Sequence, residues 1–130
     1  MTLNIIFMGT PEFAVPIMQS IIQSNNKILE VYTQPPQKKD RGQKIKISPI
    51  HDFSRKLDIP VKCPSNFGKN EVNRIRKLKP DLVVVVAYGK ILPSDLLKLD
   101  KTLFINVHAS LLPKWRGAAP MQRAIMNMDQ

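Results

Sequence analysis

An amide and an imidazole, those of Asn106 and His108, lie two residues apart near the end of an apolar run. Alternate residues of an extended strand face the same side, about 6–7 Å apart, so both groups can reach one ligand. The carboxamide can donate a hydrogen bond to a developing oxyanion, and the imidazole can accept or return a proton near neutral pH. An amide and an imidazole side by side can therefore act together on one carbonyl group. Taken alone, the triplet favours a structural interpretation, in which a hydrogen-bonded histidine lies beside a turn asparagine.

The loop after this pair is unusually apolar. Leu111, Leu112 and Trp115 lie between Ser110 and Gly117. Apolar side chains in such a position are typical of a pocket that buries the ring system of a ligand. The alternative is a loop that folds back onto its own core, with Trp115 as a surface anchor.

Short apolar runs alternate with helical patterns, and these elements must position the loop. Leu3–Met8 and Ile28–Tyr32 predict two strands. The helix between them is predicted to have Thr10 as its N-cap and Pro11 in its first position, with Phe13 on its apolar stripe. Together the three elements form a βαβ unit.

The same alternation continues along the chain. Asp81–Ala87 and Leu103–His108 predict buried strands, and Val61–Cys63 predicts a short one. One of the helices between them is predicted to be capped by Asn70, and another runs through Pro93–Leu99. The pattern predicts an α/β, Rossmann-like fold, with a mostly parallel sheet and helices on both faces. Ligands of such sheets bind beyond the carboxyl ends of the strands, where the amide and the imidazole lie.

The last predicted helix has no strand after it. Its apolar face is formed by Met121, Ala124, Ile125 and Met128. A crossover helix in an α/β fold normally leads back to the sheet. We therefore expect the fold to be truncated and the chain to be a fragment of a longer protein.

The first strand–helix turn lacks the signature of a nucleotide-binding loop. It holds a single glycine, Gly9, and Pro11 removes an amide where a pyrophosphate would need one. No Walker-type loop occurs in the sequence. These observations exclude dinucleotide and nucleoside triphosphate binding of the usual kind.

The segment Thr33–Pro49 is rich in proline and basic residues and has no core periodicity. It predicts an exposed, mobile loop, a kind of segment that is usually functional or disordered. The net charge of the chain is +10, which favours a polyanionic partner such as nucleic acid. The alternative is a solvated run of charges. The basic residues of the segment are Lys38, Lys39, Arg41, Lys44 and Lys46.

Length and composition exclude several further classes of protein. The 130 residues suit one domain. The single cysteine, Cys63, excludes an internal disulfide and a cysteine-based zinc site, and it is consistent with a reducing compartment. No apolar run approaches the roughly 18 residues of a membrane span, and the amino terminus lacks a basic signal region. We expect a soluble, cytoplasmic protein without a membrane partner. The second histidine of the sequence, His51, lies in a helical pattern and is assigned no functional role.

Four longer motifs are spread over the chain. They are F-M-G-T-P-E-F-A at Phe7–Ala14, Q-P-P…R-G-Q-K…S-P at Gln34–Pro49, V-V-V-A-Y-G-K-I-L-P at Val84–Pro93 and N-V-H-A-S-L-L-P-K-W-R-G-A-A-P-M-Q-R-A at Asn106–Ala124. Together they resemble the motifs of the formyltransferases that use 10-formyltetrahydrofolate, and among these the methionyl-tRNA formyltransferases. N-x-H followed by S-L-L-P is shared by that whole group, including the glycinamide ribonucleotide enzymes. The ending W-R-G-A-A-P-M-Q and the basic loop resemble the members that act on tRNA.

The resemblance implies transfer of a formyl group from N10 of the folate to the amino group of methionyl-initiator-tRNA. It implies that Asn106 and His108 are catalytic and that no metal takes part. It also implies that Lys38, Lys39, Arg41, Lys44 and Lys46 face the acceptor end of the tRNA. The residues implied to form the tetrahydrofolate pocket are Ser110, Leu111, Leu112, Pro113, Tyr88, Gly89, Ile91 and Leu92.

The sequence departs from the family pattern in two respects. The basic loop differs at Pro36–Asp40, and the family's third catalytic residue, an aspartate that orients the histidine, has no counterpart before Gln130. Residues 1–130 are therefore interpreted as an incomplete N-terminal catalytic domain without the tRNA-binding C-terminal domain, monomeric and inactive or weakly active. Two alternatives stay open: a formyltransferase with a small acceptor (glycinamide ribonucleotide or a sugar nucleotide), and a non-catalytic fragment that binds RNA or folate.

Overall fold

The computed structural model describes residues 1–39, 44–108 and 127–129. Strands and helices alternate along most of this length, as the sequence predicts. The elements are β1 (Asn4–Gly9), α1 (Ala14–Gln23), β2 (Lys27–Tyr32), β3 (Gln37–Lys39), β4 (Lys44–Lys46), α2 (Pro49–Lys56), β5 (Val61–Lys62), α3 (Lys69–Leu78), β6 (Leu82–Val86), α4 (Ser94–Leu97), β7 (Leu103–Val107) and β8 (Asn127–Asp129).

The main sheet has the strand order β5-β2-β1-β6-β7-β8. The first five strands in this order are mutually parallel, and β8 runs antiparallel to β7. β1 lies inside the sheet, between β2 and β6, and its residues Ile5–Gly9 are all buried, as expected for a strand that is covered on both faces. The Rossmann-like fold class predicted from the sequence is confirmed.

Two apolar clusters cover the two faces of the sheet. The first packs α1 and α2 against it, and the second packs α3 and α4 against the other face. Successive residues of β1 and β6 alternate between the clusters, because side chains of a strand point to opposite faces in turn. The first cluster includes Ile5, Phe7, Ala14, Met18, Ile50, Val84 and Val86, and the second includes Ile6, Met8, Val72, Ile75, Val83, Leu96 and Phe104.

The predicted start of the first helix is wrong. α1 begins at Ala14, and Phe13, which occupies the N-cap position, is 41% exposed and does not belong to a buried stripe. Thr10 does not cap the helix, because its hydroxyl donates to the carbonyl oxygen of Tyr88 at 2.9 Å. Pro11 precedes the helix, and its carbonyl oxygen accepts from the amide of Ala14 at 3.0 Å.

The predicted cap of α3 is also displaced. Gly68, and not Asn70, occupies the N-cap position, and the helix begins at Lys69. The Glu71 carboxylate accepts the Gly68 amide hydrogen at 2.7 Å, which satisfies a donor at the helix terminus. Lys79 ends the helix in a left-handed conformation with φ of 51°.

The segment predicted as an irregular loop contains a second, two-stranded sheet. β3 and β4 pair antiparallel, with Lys38 opposite Ile45. The hairpin is exposed, as predicted, and Ile45 is 68% exposed. The sequence pattern did not predict these two strands, because a ribbon that is solvated on both sides has no alternation of apolar and polar residues.

The end of the chain differs from the predicted helix. Asn127–Asp129 forms β8, and Met128 pairs with Ile105 of β7. A strand in this position satisfies the backbone groups along the edge of β7, which a helix would leave unpaired. Met121, Ala124 and Ile125 of the predicted helix lie outside the described residues. Among the described helices, none combines the length and the apolar character needed to cross a bilayer.

Candidate functional site

The carboxyl ends of three parallel strands meet at one edge of the sheet. Gly9 of β1 pairs with Val86 of β6, and Val86 pairs with Val107 of β7. The residues that follow these positions therefore begin their loops side by side. His108 directly follows β7 at this edge, so this is the edge where the sequence predicts a site.

Asn106 lies inside β7, in register with Val85 on one side and Asn127 on the other. Phe104, two residues earlier, is buried in the second cluster, whereas Val107 packs against the first. The alternation places Asn106 on the face of Phe104, and His108 follows directly after the strand. Both side chains are partly buried, which leaves each of them accessible at the edge of the sheet. The catalytic role of the pair stays a prediction.

The turn after β6 has an unusual backbone. Ala87 has φ of 50° and Gly89 has φ of 90°, both in the left-handed region. The positive φ favours glycine at position 89, and a Cβ atom there would lie 2.5 Å from Nε2 of Gln34, so it would also displace that side chain. Tyr88 between them is 1% exposed, and its ring contacts Phe67 edge-on with 6.2 Å between centroids.

The hydroxyl of Tyr88 has no hydrogen-bond partner within the part of the chain that the structure describes. Burial raises the pKa of this hydroxyl above its ordinary value, because the charged form would lose its hydration. Tyr88 is thus held by packing of its ring and by the hydrogen bond of its backbone carbonyl.

A network of four polar side chains, which we call the Thr10 network, holds this turn. It comprises Thr10, Thr33, Gln34 and Ser48. The Thr10 hydroxyl accepts from the backbone N–H of Gln34 at 3.3 Å and lies 3.5 Å from the Thr33 hydroxyl. The Thr33 hydroxyl lies 2.6 Å from the Ser48 hydroxyl. Ser48 also caps α2 by accepting the His51 amide at 3.0 Å. The network therefore links the turns after β1 and β2 to the start of α2.

The predicted pocket residues on the described part of the edge differ in environment. Tyr88 is buried, Leu92 packs against the second cluster, and Gly89 and Ile91 are exposed, Ile91 by 95%. An apolar side chain so fully exposed at this edge is available to contact a ligand. The other predicted pocket residues, Ser110, Leu111, Leu112 and Pro113, lie outside the described residues, as does Trp115.

The hairpin β3–β4 presents a basic surface beside the same edge. Lys38, Lys44 and Lys46 are exposed, and the backbone of Lys39 belongs to β3. Arg41 lies outside the described residues. A cavity of about 290 Å³ lies between the hairpin and the turn after β1. Its polar lining comes from the hairpin (Gln37 and Lys46), from that turn (Thr10 and Glu12) and from the segments that flank the hairpin (Gln34 and Ser48).

A second cavity of about 700 Å³ separates the hairpin from α2 and is lined by Ile45, Arg55 and Lys56 among others. Asp52 accepts from Arg55 at 3.2 Å and from Lys56 at 3.1 Å. Lys56 is the main reason that the pKa of Asp52 lies below its ordinary value. This pairing offsets part of the positive charge on α2, so the hairpin is the more strongly cationic of the two walls.

His51 has a partner that the sequence did not reveal. Its Nδ1 lies 3.6 Å from Sγ of Cys63, twelve residues later. Burial lowers the pKa of the imidazole and raises that of the thiol, so it favours the neutral form of each group. No sequence signal links the two residues, because they meet only through the packing of α2 beside β5. Within the described residues, no three histidine, cysteine or acidic side chains gather as a metal site would require.

Comparison with known proteins agrees with this architecture. The family model described as "Formyl transferase" matches residues 3–130. The chain therefore belongs to the formyl transferase family.

Curated relatives define the resemblance more narrowly. The chain is 53% identical to the methionyl-tRNA formyltransferase of Pelagibacter ubique, over all of this chain and 43% of that protein. It is 51% identical to the methionyl-tRNA formyltransferase of Rhizobium rhizogenes, over all of this chain and 42% of the relative. The chain thus spans less than half the length of these relatives.

A solved structure with the same fold is that of phosphoribosylglycinamide formyltransferase from Anaplasma phagocytophilum. It superposes with a TM-score of 0.57, covering 95% of this chain and 58% of that one, at 15% sequence identity. At this identity the agreement concerns the fold, which is the mostly parallel sheet described above.

Proposed function

We propose that this chain is the N-terminal catalytic portion of an enzyme that transfers a formyl group from 10-formyltetrahydrofolate to the amino group of methionyl-initiator-tRNA. The observation that carries the proposal is the position of Asn106 and His108 at the carboxyl end of a parallel strand in a formyl transferase domain. The names of the relatives at 51–53% identity support the choice of acceptor.

The proposed reaction begins when the amino nitrogen of the methionyl group attacks the formyl carbon. A C–N bond forms and the carbonyl oxygen becomes an oxyanion, which the Asn106 carboxamide and a protonated His108 stabilise by hydrogen bonds. The bond to N10 of the folate then breaks. The surplus proton of the amine passes by way of His108 to N10, so the folate leaves as neutral tetrahydrofolate.

The proposed donor site lies next to this pair. Tyr88–Leu92 forms one wall of the folate pocket, and the segment Ser110–Pro113 forms another. The exposed apolar side chain of Ile91 supports a contact with the folate, since its burial under a planar ring would be favourable. The reaction needs no metal, because the oxyanion is stabilised by hydrogen-bond donors.

The proposed acceptor site is the basic surface of the hairpin β3–β4. Lys38, Lys39, Arg41, Lys44 and Lys46 contact phosphates at the acceptor end of the tRNA. Exposed lysines on a narrow ribbon suit this role, because phosphate contacts depend on charge and reach and not on base sequence. In this proposal the protein acts as a monomer in the cytoplasm.

The test is a formylation assay of the protein at its full natural length, with 10-formyltetrahydrofolate and charged initiator tRNA. Formyl-methionyl-tRNA is the expected product, and glycinamide ribonucleotide in place of the tRNA is expected to remain unformylated. A protein that formylates the small acceptor and not the tRNA would overturn the proposed acceptor. Residues 1–130 alone are expected to react about 10²–10⁴-fold more slowly, since His108 would lack its orienting carboxylate.

A further inference from the structure

The turn after β6 is held through two consecutive carbonyl groups. The Tyr88 carbonyl oxygen accepts from the Thr10 hydroxyl at 2.9 Å, and the Gly89 carbonyl oxygen accepts from Nε2 of Gln34 at 2.8 Å. The two donors come from the ends of β1 and β2, 78 and 55 residues away in sequence from the groups they bind. Ala87 and Gly89 both have positive φ, so the turn adopts a conformation that it would not choose by local preference.

The two donors are themselves fixed in place. The Thr10 hydroxyl has one hydrogen to give, and it goes to Tyr88, while the lone pairs accept from the Gln34 amide. Gln34 is therefore bound to Thr10 by its backbone and to Gly89 by its side chain. The Thr33 hydroxyl next to it is fully buried and bonded to Ser48, which anchors this stretch to α2.

We propose that Gln34 and Thr10 are positioning residues for the formyl donor: they hold the Tyr88–Gly89 turn in the shape that places the donor wall Tyr88–Leu92 at the edge of the sheet. The inference rests on the proposed function and deepens it by assigning a role to residues outside the reacting pair. Neither residue touches the reacting atoms; each acts by fixing a backbone carbonyl of the wall.

This role predicts a specific kinetic signature. Loss of one neutral hydrogen bond to the turn is expected to raise KM for 10-formyltetrahydrofolate by about three- to tenfold. The value of kcat changes by less than about twofold, because Asn106 and His108 are untouched. KM for methionyl-tRNA is expected to be preserved, because Thr33 and Ser48, which flank the hairpin in sequence, keep their hydrogen bond to each other.

The experiment measures kcat and both KM values for matched variants of the full-length protein. Gln34→Met keeps the length of the side chain and removes the donor, and Gln34→Glu replaces the donor with an acceptor that repels the Gly89 carbonyl. Gln23→Met makes the same chemical change at an exposed position at the end of α1, on the opposite edge of the sheet, and serves as the control. Thr10→Val removes the second donor, and Thr10→Ser restores it.

We expect KM for the formyl donor to be highest for Gln34→Glu, lower for Gln34→Met and lowest for the wild type. Gln23→Met should have the wild-type value. Thr10→Ser should lie closer to the wild-type value than Thr10→Val does. An active wild type whose donor KM is unchanged by Gln34→Met and Thr10→Val would overturn the inference and leave the proposed function standing. A parallel rise in both KM values would also overturn it, because that result indicates general loosening of the fold. A wild-type protein that forms no formyl-methionyl-tRNA would instead overturn the proposed function on which the inference depends.

Discussion

Two regions beside the same sheet edge are built on different principles. The hairpin β3–β4 is solvated and cationic, with Ile45 and its neighbouring lysines exposed. Among the strands that the structure describes, β3 and β4 pair with each other and with no other strand. The turn at Tyr88–Gly89 is compact, and two consecutive carbonyl groups are each fixed by a directional hydrogen bond. The first region acts through charge, which operates over a Debye length of about 8 Å, and the second acts through atoms in contact.

This difference sets how each region responds to substitution. Charge on an exposed surface is shared, so the loss of one lysine is partly compensated by the others. A directional contact has no substitute nearby, so the loss of one group leaves a carbonyl or an oxyanion without its donor. We expect large effects from single changes at the strand ends and small, additive effects from single changes in the hairpin.

The largest effect is expected at Asn106. Asn106→Ala removes the carboxamide that would stabilise the oxyanion, and kcat for formyl transfer should fall by about 10²–10³-fold. Asn70→Ala, an exposed amide in the first turn of α3, is the control and should leave kcat unchanged. Steady-state formylation of methionyl-tRNA measures both variants. A loss smaller than about fivefold for Asn106→Ala would remove this residue from the mechanism.

The next largest effect is expected from Gly89→Ala, measured as the free energy of unfolding in urea. The new Cβ would meet Nε2 of Gln34 at 2.5 Å and would adopt φ of 90°, so unfolding should become easier by about 1–3 kcal/mol. Adding Gln34→Ala to this variant relieves the clash, and the two changes should therefore be less than additive.

Gly68→Ala is the matched control for this change. Gly68 has a negative φ, and its new Cβ would have only the Glu71 carboxylate within reach, at 3.9 Å. The cost should stay below about 1 kcal/mol. Equal costs for the two glycines would show that the turn at Gly89 is not constrained in the way described.

A smaller effect is expected from single lysines of the hairpin. Lys44→Ala and Lys38→Ala should each weaken tRNA binding by about two- to fivefold and lower the slope of log affinity against log salt by about 0.7–0.9. Lys27→Ala, an exposed lysine at the start of β2 on the opposite edge, should change neither value. Titrations of tRNA binding across a salt series measure both the affinity and this slope. Identical slopes for all three variants would show that the tRNA does not bind at the hairpin.

The smallest effect is expected from Tyr88→Phe. The hydroxyl is buried without a partner in the described part of the chain, so its removal should leave the free energy of unfolding unchanged or raise it by up to about 1 kcal/mol. Donor KM should also be unchanged, because the backbone of residue 88 and not its hydroxyl is held by Thr10. A loss of stability above about 1 kcal/mol would mean that the hydroxyl does make a contact.

The longer strands of the main sheet, which are β1, β2, β6 and β7, could be predicted from the sequence because each is a mostly apolar run. Leu82–Val86 is the clearest case, since burial on both faces removes the need for polar residues. The edge that carries Asn106 and His108 followed from the parallel order of these strands. The assignment of roles to the pair depended on a family resemblance, because the triplet alone favours a structural interpretation.

Three local predictions failed for related reasons. Thr10 has the side chain of an N-cap, but its hydroxyl is used by Tyr88, 78 residues later. The hairpin β3–β4 has no apolar periodicity, because neither of its faces packs on a core. Met128 fits a helical stripe, yet its backbone pairs with the open edge of β7. For Thr10 and Met128 a long-range hydrogen-bond partner competed with a local preference, and such partners cannot be read from neighbouring residues.

The sequence by itself determined which segments are buried in the main sheet, that the sheet is mostly parallel and that the chain carries an excess of positive charge. These properties depend on composition and on short periodicities, which each segment carries within itself. Only the tertiary structure decided that Gln34 and Thr10 hold the turn at Gly89, and that His51 meets Cys63. Those contacts join residues far apart along the chain, and they exist only because the packing of the sheet and its helices brings the donors within about 3 Å of their acceptors.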